Sequence, residues 1–177
     1  MDIQLYNFYI TPTGENLLLN ESFGGSQVKL SHIHLGTASY DPSSRTNQTS
    51  LISEVDVKPI QDFAKVDNTL QMAAIFDGSG EYNVGEIGLF TDTGKLFAVH
   101  SQQGKLLGSK AAGGRFMPRF GLALDQIPKD SITVNLVGDN LNLIITPELA
   151  LMTLAQVRNS RLIMNGINRD ISQFLAN

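Results

Sequence analysis

The sequence predicts a mainly β protein of the α+β class: an antiparallel β-sandwich or twisted sheet of about seven to nine strands, with a short N-terminal helix and a projecting C-terminal helix. Three observations support this prediction. Apolar and polar residues alternate in short runs before residue 146, and turn-forming residues separate those runs. Helical spacing then replaces alternation after Thr146-Pro147-Glu148, a hydroxyl cap followed by proline and an acid. We therefore predict a β-rich region over 1–145 and a helical segment over 146–177.

The stretch from Val84 to Val99 gives the strongest local signal. Two apolar runs flank Thr91-Asp92-Thr93-Gly94, a turn in which glycine can take a positive φ. This pattern predicts a β-hairpin at the centre of an antiparallel sheet, covered on both faces because both carry apolar side chains. Simple alternation places Ile87 with Leu89 on one face of the first arm, and Phe97 with Val99 on one face of the second.

Three residues of the first arm carry further expectations. Gly85 and Gly88 weaken a strand, so they predict a bulge or the close approach of another backbone. Glu86 lies among apolar neighbours. We interpret it as a structural carboxylate that binds backbone amides or a basic residue; an acid with a perturbed pKa is the alternative.

The remaining N-terminal elements follow from local patterns. Residues 2–10 are expected to form a short strand or arm, and Thr11-Pro12 is expected to cap a short helix that ends at Gly24-Gly25. The apolar alternation changes phase between Leu30 and Ile33, which predicts a bulge near residue 31 or 32. A surface loop is expected over 36–48.

Further strands are expected along the rest of the β-rich region. Alternation predicts a half-exposed strand with Leu51, Val55 and Val57 on one face, and another strand over 70–76. Residues 101–114 are the least regular part, and Pro118 indicates an edge strand or a strand start. A closing hairpin is expected over 132–145, with its turn at 138–140.

Composition limits the class of protein. The chain has 177 residues, 42% of them hydrophobic and 17% charged, which is typical of a globular protein poor in charge. Cysteine is absent, and the net charge of −4 argues against general nucleic-acid binding. The sequence has neither the pattern of a signal peptide nor an apolar run long enough for a membrane span. We expect synthesis in the cytoplasm, without secretion by a signal peptide or membrane insertion.

No motif for catalysis was found in the sequence. It lacks a phosphate-binding Gly-x-x-x-x-Gly-Lys-Ser/Thr loop, a Gly-x-Ser-x-Gly elbow, a His-Glu-x-x-His helix and an acidic calcium loop. No residue pattern sets a nucleophile beside a base. We therefore expect a protein that is not an enzyme and that needs no cofactor.

His32 and His34 form the one pair of possible metal ligands. At positions i and i+2 of a strand they share a face and can offer two imidazoles to one metal, and threefold repetition would supply six. We interpret them instead as surface or turn histidines beside a bulge, because no carboxylate or third histidine lies nearby in sequence.

Two other groups of residues are expected to bind partners. The apolar stripe of the C-terminal helix is expected to pack against another apolar surface. That surface is either the protein's own core or the same helix of neighbouring subunits. The segment 105–119 is a local basic excess in an acidic protein, and we predict that it docks on another protein, although a solvated loop without a partner has equal weight. The residues expected to mediate self-association are Leu149, Met152, Ile163, Ile167 and Ile171, and those expected to dock are Lys105, Lys110, Arg115 and Arg119.

Several of these segments together resemble a known family. They are Gly24 to Gly36, Gln48 to Val55, Leu70 to Ile75, Lys110 to Arg115, and the hairpin with Glu86-Ile87-Gly88-Leu89-Phe90. In this order they resemble the amino-terminal, tail-collar or baseplate-attachment domain of tail fibre proteins of contractile-tailed bacteriophages and tailocins. The resemblance covers about residues 12 to 146, and the hairpin is its most specific part.

The resemblance implies a structural virion protein of the phage tail that attaches a homotrimeric fibre to baseplate proteins, with host recognition left to distal parts of the fibre. No repetitive shaft or receptor-binding tip follows residue 177, so we expect a fibre base or adaptor, which could also carry a distal fibre protein. The alternative is a non-enzymatic carbohydrate-binding or receptor-binding β-module, with Tyr40 and Tyr82 as stacking platforms. The absence of tryptophan makes this alternative weaker.

Overall fold

The computed structural model describes residues 6, 8–24, 26–45, 47–124, 127, 131–137, 154–161 and 163–165. The chain divides into two compact units, Met1–Ile144 and Ile145–Asn177. The described part of the first unit is mainly β and contains eleven strands, more than the seven to nine expected. Fewer strands were predicted from the sequence because several have only two or three residues, too few to show alternation. The elements are β1 (Tyr9–Ile10), α1 (Pro12–Gly24), β2 (Val28–Gly36), β3 (Glu54–Pro59), β4 (Asp62–Val66), β5 (Thr69–Ala73), β6 (Tyr82–Val84), β7 (Glu86–Thr91), β8 (Leu96–Ser101), β9 (Gly108–Lys110), β10 (Arg119–Ala123) and β11 (Ile132–Val134), with a 3-10 turn at Pro42–Ser44.

These strands form three sheets. The largest has the order β1-β8-β7-β2-β11, and β3 also pairs with β2. The other two are a three-stranded sheet of order β10-β5-β4 and the pair β6-β9. All pairs are antiparallel except β2 with β11, which run parallel, so the expectation of a purely antiparallel sheet is wrong at this edge. The exact sandwich expected from the sequence stays a prediction.

The central hairpin is confirmed. β7 and β8 lie in the middle of the large sheet, and every residue of both strands is buried. The amide of Gly94 donates to the carbonyl of Thr91 at 3.0 Å, and Gly94 has a φ of +73°. This conformation favours glycine, because a side chain would be strained there.

The two faces of the hairpin contribute to different apolar clusters. Ile87 and Leu89 belong to a large cluster that also includes side chains of the three-stranded sheet, whereas Phe90 belongs to a small one. The expected alternation of β8 is wrong at Phe97, which joins the large cluster while Val99 joins the small one. The physical reason is a bulge: Leu89 pairs with Ala98 but Phe90 pairs with Leu96, so one extra residue shifts the phase.

The close approach of another backbone, predicted for Gly85 and Gly88, is confirmed at Gly85 only. A Cβ on Gly85 would lie 2.5 Å from the carbonyl oxygen of Ala38 and 2.7 Å from that of Thr37, so another backbone does approach closely. At Gly88 the nearest atoms belong to the side chains of Phe90 and Leu51 instead. Gly88 therefore makes room for the small cluster and not for a backbone.

The bulge expected in β2 is confirmed. Leu30 pairs with Thr91 of β7, and the next pair is His32 with Phe90, so Ser31 is the extra residue. Leu30 and Ile33 are both fully buried despite their odd separation in sequence. The bulge thus explains why apolar residues change phase along this strand.

The strand β3 is half-exposed, as predicted, but it begins at Glu54, so the buried Leu51 lies outside it. Val55 and Val57 are 42% and 38% exposed, and among the described residues only β2 pairs with this strand. The polar residues have intramolecular partners instead: the Tyr82 hydroxyl donates to Asp56 at 2.7 Å, and Lys58 forms an ion pair with Asp77 at 2.9 Å. Alternation predicts two faces of a strand but not which face is covered.

The edge strand predicted from Pro118 is confirmed. The strand β10 begins at the next residue, Arg119, and lies at the edge of the three-stranded sheet. Residues 70, 72, 74 and 76 are buried as their alternation predicts. Residues 138–145, which complete the expected closing hairpin, lie outside the described residues.

The first helix begins as predicted. The Thr11 hydroxyl accepts a hydrogen bond from the amide of Gly14 at 3.0 Å and donates one to the carbonyl of Leu96 at 2.8 Å. Pro12 is the first helical residue and Glu15 lies in the first turn. Thr11 therefore both caps the helix and ties it to β8.

Replacing Thr11 with alanine is expected to lower the free energy of unfolding by about 2 kcal/mol, because it removes an N-cap and leaves a buried carbonyl without that donor. Urea denaturation of the two proteins measures the difference. Thr11→Ser, which keeps the hydroxyl, is the matched control and should lose less than half as much. Equal losses for the two variants would show that the hydroxyl does not carry the effect.

In the second unit, residues 154–161 and 163–165 are helical. The predicted start of this helix near Pro147 and its continuation beyond 165 lie outside the described residues. No helix of the described residues is long and apolar enough to cross a membrane.

Candidate docking surface

The basic segment between β8 and β10 is more regular than expected. The strand β9 pairs with β6, with Tyr82 opposite Lys110 and Val84 opposite Gly108. A short antiparallel bridge joins Phe116 to Phe76, and a turn at residues 111–114 lies between β9 and this bridge. The backbone of this segment is therefore paired on both sides of the turn.

Two of the four predicted docking cations are exposed, Lys105 before β9 and Arg115 after it. Arg119 is partly exposed at the start of β10. The pKa of Asp77 is lowered, mainly by the hydrogen bond and the charge of Lys58, and Arg115 adds a weaker electrostatic contribution. Arg115 therefore lies within electrostatic range of the Lys58–Asp77 ion pair.

Lys110 does not fit the predicted docking role. Its side chain is 2% exposed, and its ammonium group donates to the carbonyl oxygens of Gly78 and, at 2.8 Å, Gly80. The Tyr82 ring centroid is 5.7 Å from the same ammonium nitrogen. Lys110 thus holds the turn after β5, and its buried charge is not available for docking.

Lys110→Met is expected to lower the free energy of unfolding by about 2 kcal/mol, because carbonyl groups of the 78–80 turn lose a charged donor. Lys105→Met makes the same chemical change at an exposed position and should change stability by less than about 0.5 kcal/mol. Thermal and urea denaturation of both variants provide the comparison. A loss at Lys105 as large as that at Lys110 would contradict the structural role of Lys110.

Sequence reasoning missed the apolar residues of this surface. Leu106 is 60% exposed and Met117 is 44% exposed, and they directly follow Lys105 and the Arg115-Phe116 pair in sequence. Exposed apolar side chains beside cations are typical of protein interfaces. We call Lys105, Leu106, Arg115, Met117 and Arg119 the basic docking surface. Neither alternation nor helical spacing singles out Leu106 and Met117, so their exposure could not be predicted from the sequence.

The expectation for Glu86 is confirmed. Its side chain is fully buried, and its carboxylate accepts hydrogen bonds from the amides of Ser53 at 2.7 Å and Ile52 at 3.1 Å and from the Tyr40 hydroxyl at 2.9 Å. Burial is the main cause that raises the pKa of Tyr40 well above its ordinary value, and the hydrogen bond to Glu86 raises it further. A hydrogen bond from Gln48 lowers this pKa and so opposes part of the increase. Glu86 therefore fastens both ends of the 37–53 loop to the central hairpin.

The two tyrosines of the carbohydrate-binding alternative are occupied within the chain. Tyr40 is only 8% exposed, and the Arg45 guanidinium lies 5.1 Å from the centroid of its ring. Tyr82 is partly buried, and burial and its bond to Asp56 raise the pKa of its hydroxyl. Burial excludes the Tyr40 ring as a platform for a sugar, and the Tyr82 ring already has the Lys110 ammonium 5.7 Å from its centroid, so the structure weakens this alternative.

The two histidines lie side by side on β2. His34 stacks on Phe90 with ring centroids 3.6 Å apart, and its Nδ1 atom lies 2.7 Å from a carboxylate oxygen of Glu54. The pKa of His32 is lowered by burial and, to a smaller extent, by His34. Within the described residues there is no group of three or more side chains that could hold a metal ion.

The predicted self-association residues are described only in part. Ile163 is 63% exposed on its helix, as are Met164 at 63%, Val157 at 62% and Leu154 at 67%. Leu149, Met152, Ile167 and Ile171 lie outside the described residues. The described helix therefore presents apolar side chains to solvent in the single chain.

Comparison with known proteins gives one positive result. None of the curated proteins and none of the solved structures matches the chain. The family described as phage tail-collar fibre protein, N-terminal, matches residues 1–135, which is most of the chain and includes all eleven strands. The chain therefore belongs to the phage tail-collar fibre protein family, which makes it a component of a phage tail.

Proposed function

We propose that this protein is the base of a phage tail fibre, or an adaptor, that anchors a trimeric fibre to the baseplate and has no enzymatic activity. The observation that carries the proposal is the family match over 1–135, since it covers all eleven described strands. The protein would be made in the cytoplasm of the host bacterium and assembled into the virion. A distal fibre protein is a further expected partner.

The basic docking surface is the part of the β-rich unit that we propose to contact the baseplate. It combines exposed cations with exposed Leu106 and Met117, and the strand pairing around it fixes its backbone before contact. Arginine beside apolar side chains is enriched in interfaces, because its planar group can bind carboxylates while its stem covers apolar surface. An acidic patch on a baseplate protein is therefore the expected counterpart.

The exposed apolar residues of the C-terminal helix support self-association. Leu154, Val157 and Met164 are separated by three and seven residues, a spacing that places them along one side of a helix. Such a stripe in water is covered most simply by the same stripe of other copies. The number three comes from the family resemblance and remains part of the proposal.

Genetic deletion tests the proposed role. Particles from the phage or tailocin that encodes this chain should assemble contractile tails without fibres when its gene is removed, and the full chain supplied in trans should restore them. Electron microscopy of purified particles gives the result. Fibres of normal number and length on tails that lack the protein would contradict the proposal.

A charge-reversal variant tests the docking surface separately. Lys105→Glu with Arg115→Glu should fold normally but reduce incorporation into particles at least tenfold, measured by mass spectrometry of purified tails. The control is Lys29→Glu with Lys65→Glu, which makes the same charge change at exposed positions of β2 and β4. Equal incorporation of both variants would place the contact elsewhere.

A further inference from the structure

His32 and His34 lie two residues apart on β2 and therefore share a face of the large sheet. Their ring centroids are 6.4 Å apart and the ring planes are nearly perpendicular, at 85°. Both residues are partly exposed, and the side chain of His34 is 16% exposed. The two imidazoles are thus neighbours on one face of the sheet.

The Nδ1 atom of each ring already has an oxygen partner. Nδ1 of His34 lies 2.7 Å from Oε2 of Glu54, and Nδ1 of His32 lies 2.8 Å from the Ser31 hydroxyl. A carboxylate acceptor holds the proton of His34 on Nδ1, which leaves the lone pair on Nε2 for another ligand. Histidines that bind metals have this arrangement, since a carboxylate or another oxygen on the second ring nitrogen fixes the tautomer and orients the ring. For His32 the proposal requires that Nδ1–H donates to the Ser31 hydroxyl, which leaves the lone pair on Nε2.

Glu54 is the carboxylate that orients His34. It is twenty positions from His34 in the chain, but the pairing of β3 with β2 places it beside the histidine. The ring of His34 is further fixed by stacking on Phe90, at an interplanar angle of 17°. The structure thus supplies the orienting carboxylate that the sequence did not show.

The distance between the rings fits a shared metal after a small adjustment. An imidazole that binds zinc through Nε2 places its ring centroid about 3 Å from the metal, so two rings on one tetrahedral ion are about 5 Å apart. The observed 6.4 Å is slightly longer. Binding therefore requires a small movement of His32 within its contact with Ser31, because His34 is held by Phe90 and Glu54.

We propose that the Nε2 atoms of His32 and His34 bind one divalent transition-metal ion of the class of Zn²⁺, with water in the remaining positions. Imidazole nitrogen suits zinc, nickel and copper, whereas magnesium and calcium prefer oxygen ligands. With two protein ligands from one chain, the ion is exchangeable. This inference does not depend on the proposed role in the phage tail.

Calorimetric titration of the untagged full chain with Zn²⁺ at pH 7.5 tests the site. The chain has no cysteine and only three histidines, and the third, His100, is buried, so few other strong zinc ligands compete. We expect His32→Gln and His34→Gln each to weaken binding at least tenfold, and Glu54→Gln to weaken it about tenfold through the orientation of His34. Glu81→Gln, which neutralises an exposed carboxylate after β5, is the control and should bind as the original protein does.

Nuclear magnetic resonance of the histidine rings in the unmodified protein makes the test independent of how the variants fold. Added Zn²⁺ should shift the ring signals of His32 and His34 but not those of His100, and Mg²⁺ at the same concentration should shift none. Unchanged His32 and His34 signals at saturating Zn²⁺, or equal zinc affinity of His34→Gln and the original protein, would overturn the proposal.

Discussion

Replacing Glu86 with alanine is expected to lower the free energy of unfolding by about 4 kcal/mol, which is a large effect for one substitution. The carboxylate is fully buried and accepts three hydrogen bonds, two from backbone amides and one from the Tyr40 hydroxyl. Its removal leaves three donors without their acceptor, each at a cost of about 1–3 kcal/mol before water enters. Urea denaturation monitored by tyrosine fluorescence measures the loss.

Two comparison variants show what the Glu86 result means. Glu81→Ala removes an exposed carboxylate from the same part of the chain and should change stability by less than about 0.5 kcal/mol. Glu86→Gln keeps the shape but turns an amide donor towards groups that are themselves donors, so it should recover only part of the loss. Similar stabilities for Glu86→Ala and Glu81→Ala would show that Glu86 does not hold the 37–53 loop.

Removing the C-terminal segment is expected to change the assembly state completely. The full chain should have a solution mass about three times the 19.3 kDa of one chain, and a version that ends at Ile145 should have the mass of a single chain. The expectation rests on the exposed apolar side chains of the described helix and on the compactness of unit Met1–Ile144. Light scattering coupled to size-exclusion chromatography gives both masses.

A point variant separates loss of the helix from loss of its apolar stripe. Val157→Asp keeps the chain length but places a charge among Leu154 and Met164, and it should also yield single chains. Arg158→Asp, one position away on the same helix, is the control and should stay associated if the stripe carries the contact. A full chain that is already monomeric would contradict self-association through this segment.

The sequence predicted those features that depend on short-range chemistry. The Thr11 cap, the Gly94 turn and the phase change in β2 follow from residue types at fixed spacing, and the structure confirms each. Glu86 could be predicted because a carboxylate in an apolar strand needs donors. These features require no knowledge of which strands become neighbours.

Features that depend on long-range pairing could not be predicted in this way. The parallel contact of β11 with β2, the pairing of β9 with β6 and the exposure of Val57 all depend on which strand lies beside which. The burial of Lys110 belongs to the same group, because its acceptors are carbonyls of a turn about thirty positions away. A bulge at Phe97 likewise reverses a face assignment without any signal in the alternation.

Antibody labelling of intact particles tests the central claim most directly. Gold-labelled antibody against the β-rich unit should bind tails in electron micrographs where fibres join the baseplate, and this labelling should disappear from particles that lack the gene. A chain that anchors fibres must lie at that junction. Labelling confined to the distal ends of the fibres, as expected of a receptor-binding module, or no labelling of the tails at all would contradict the proposal of a fibre base.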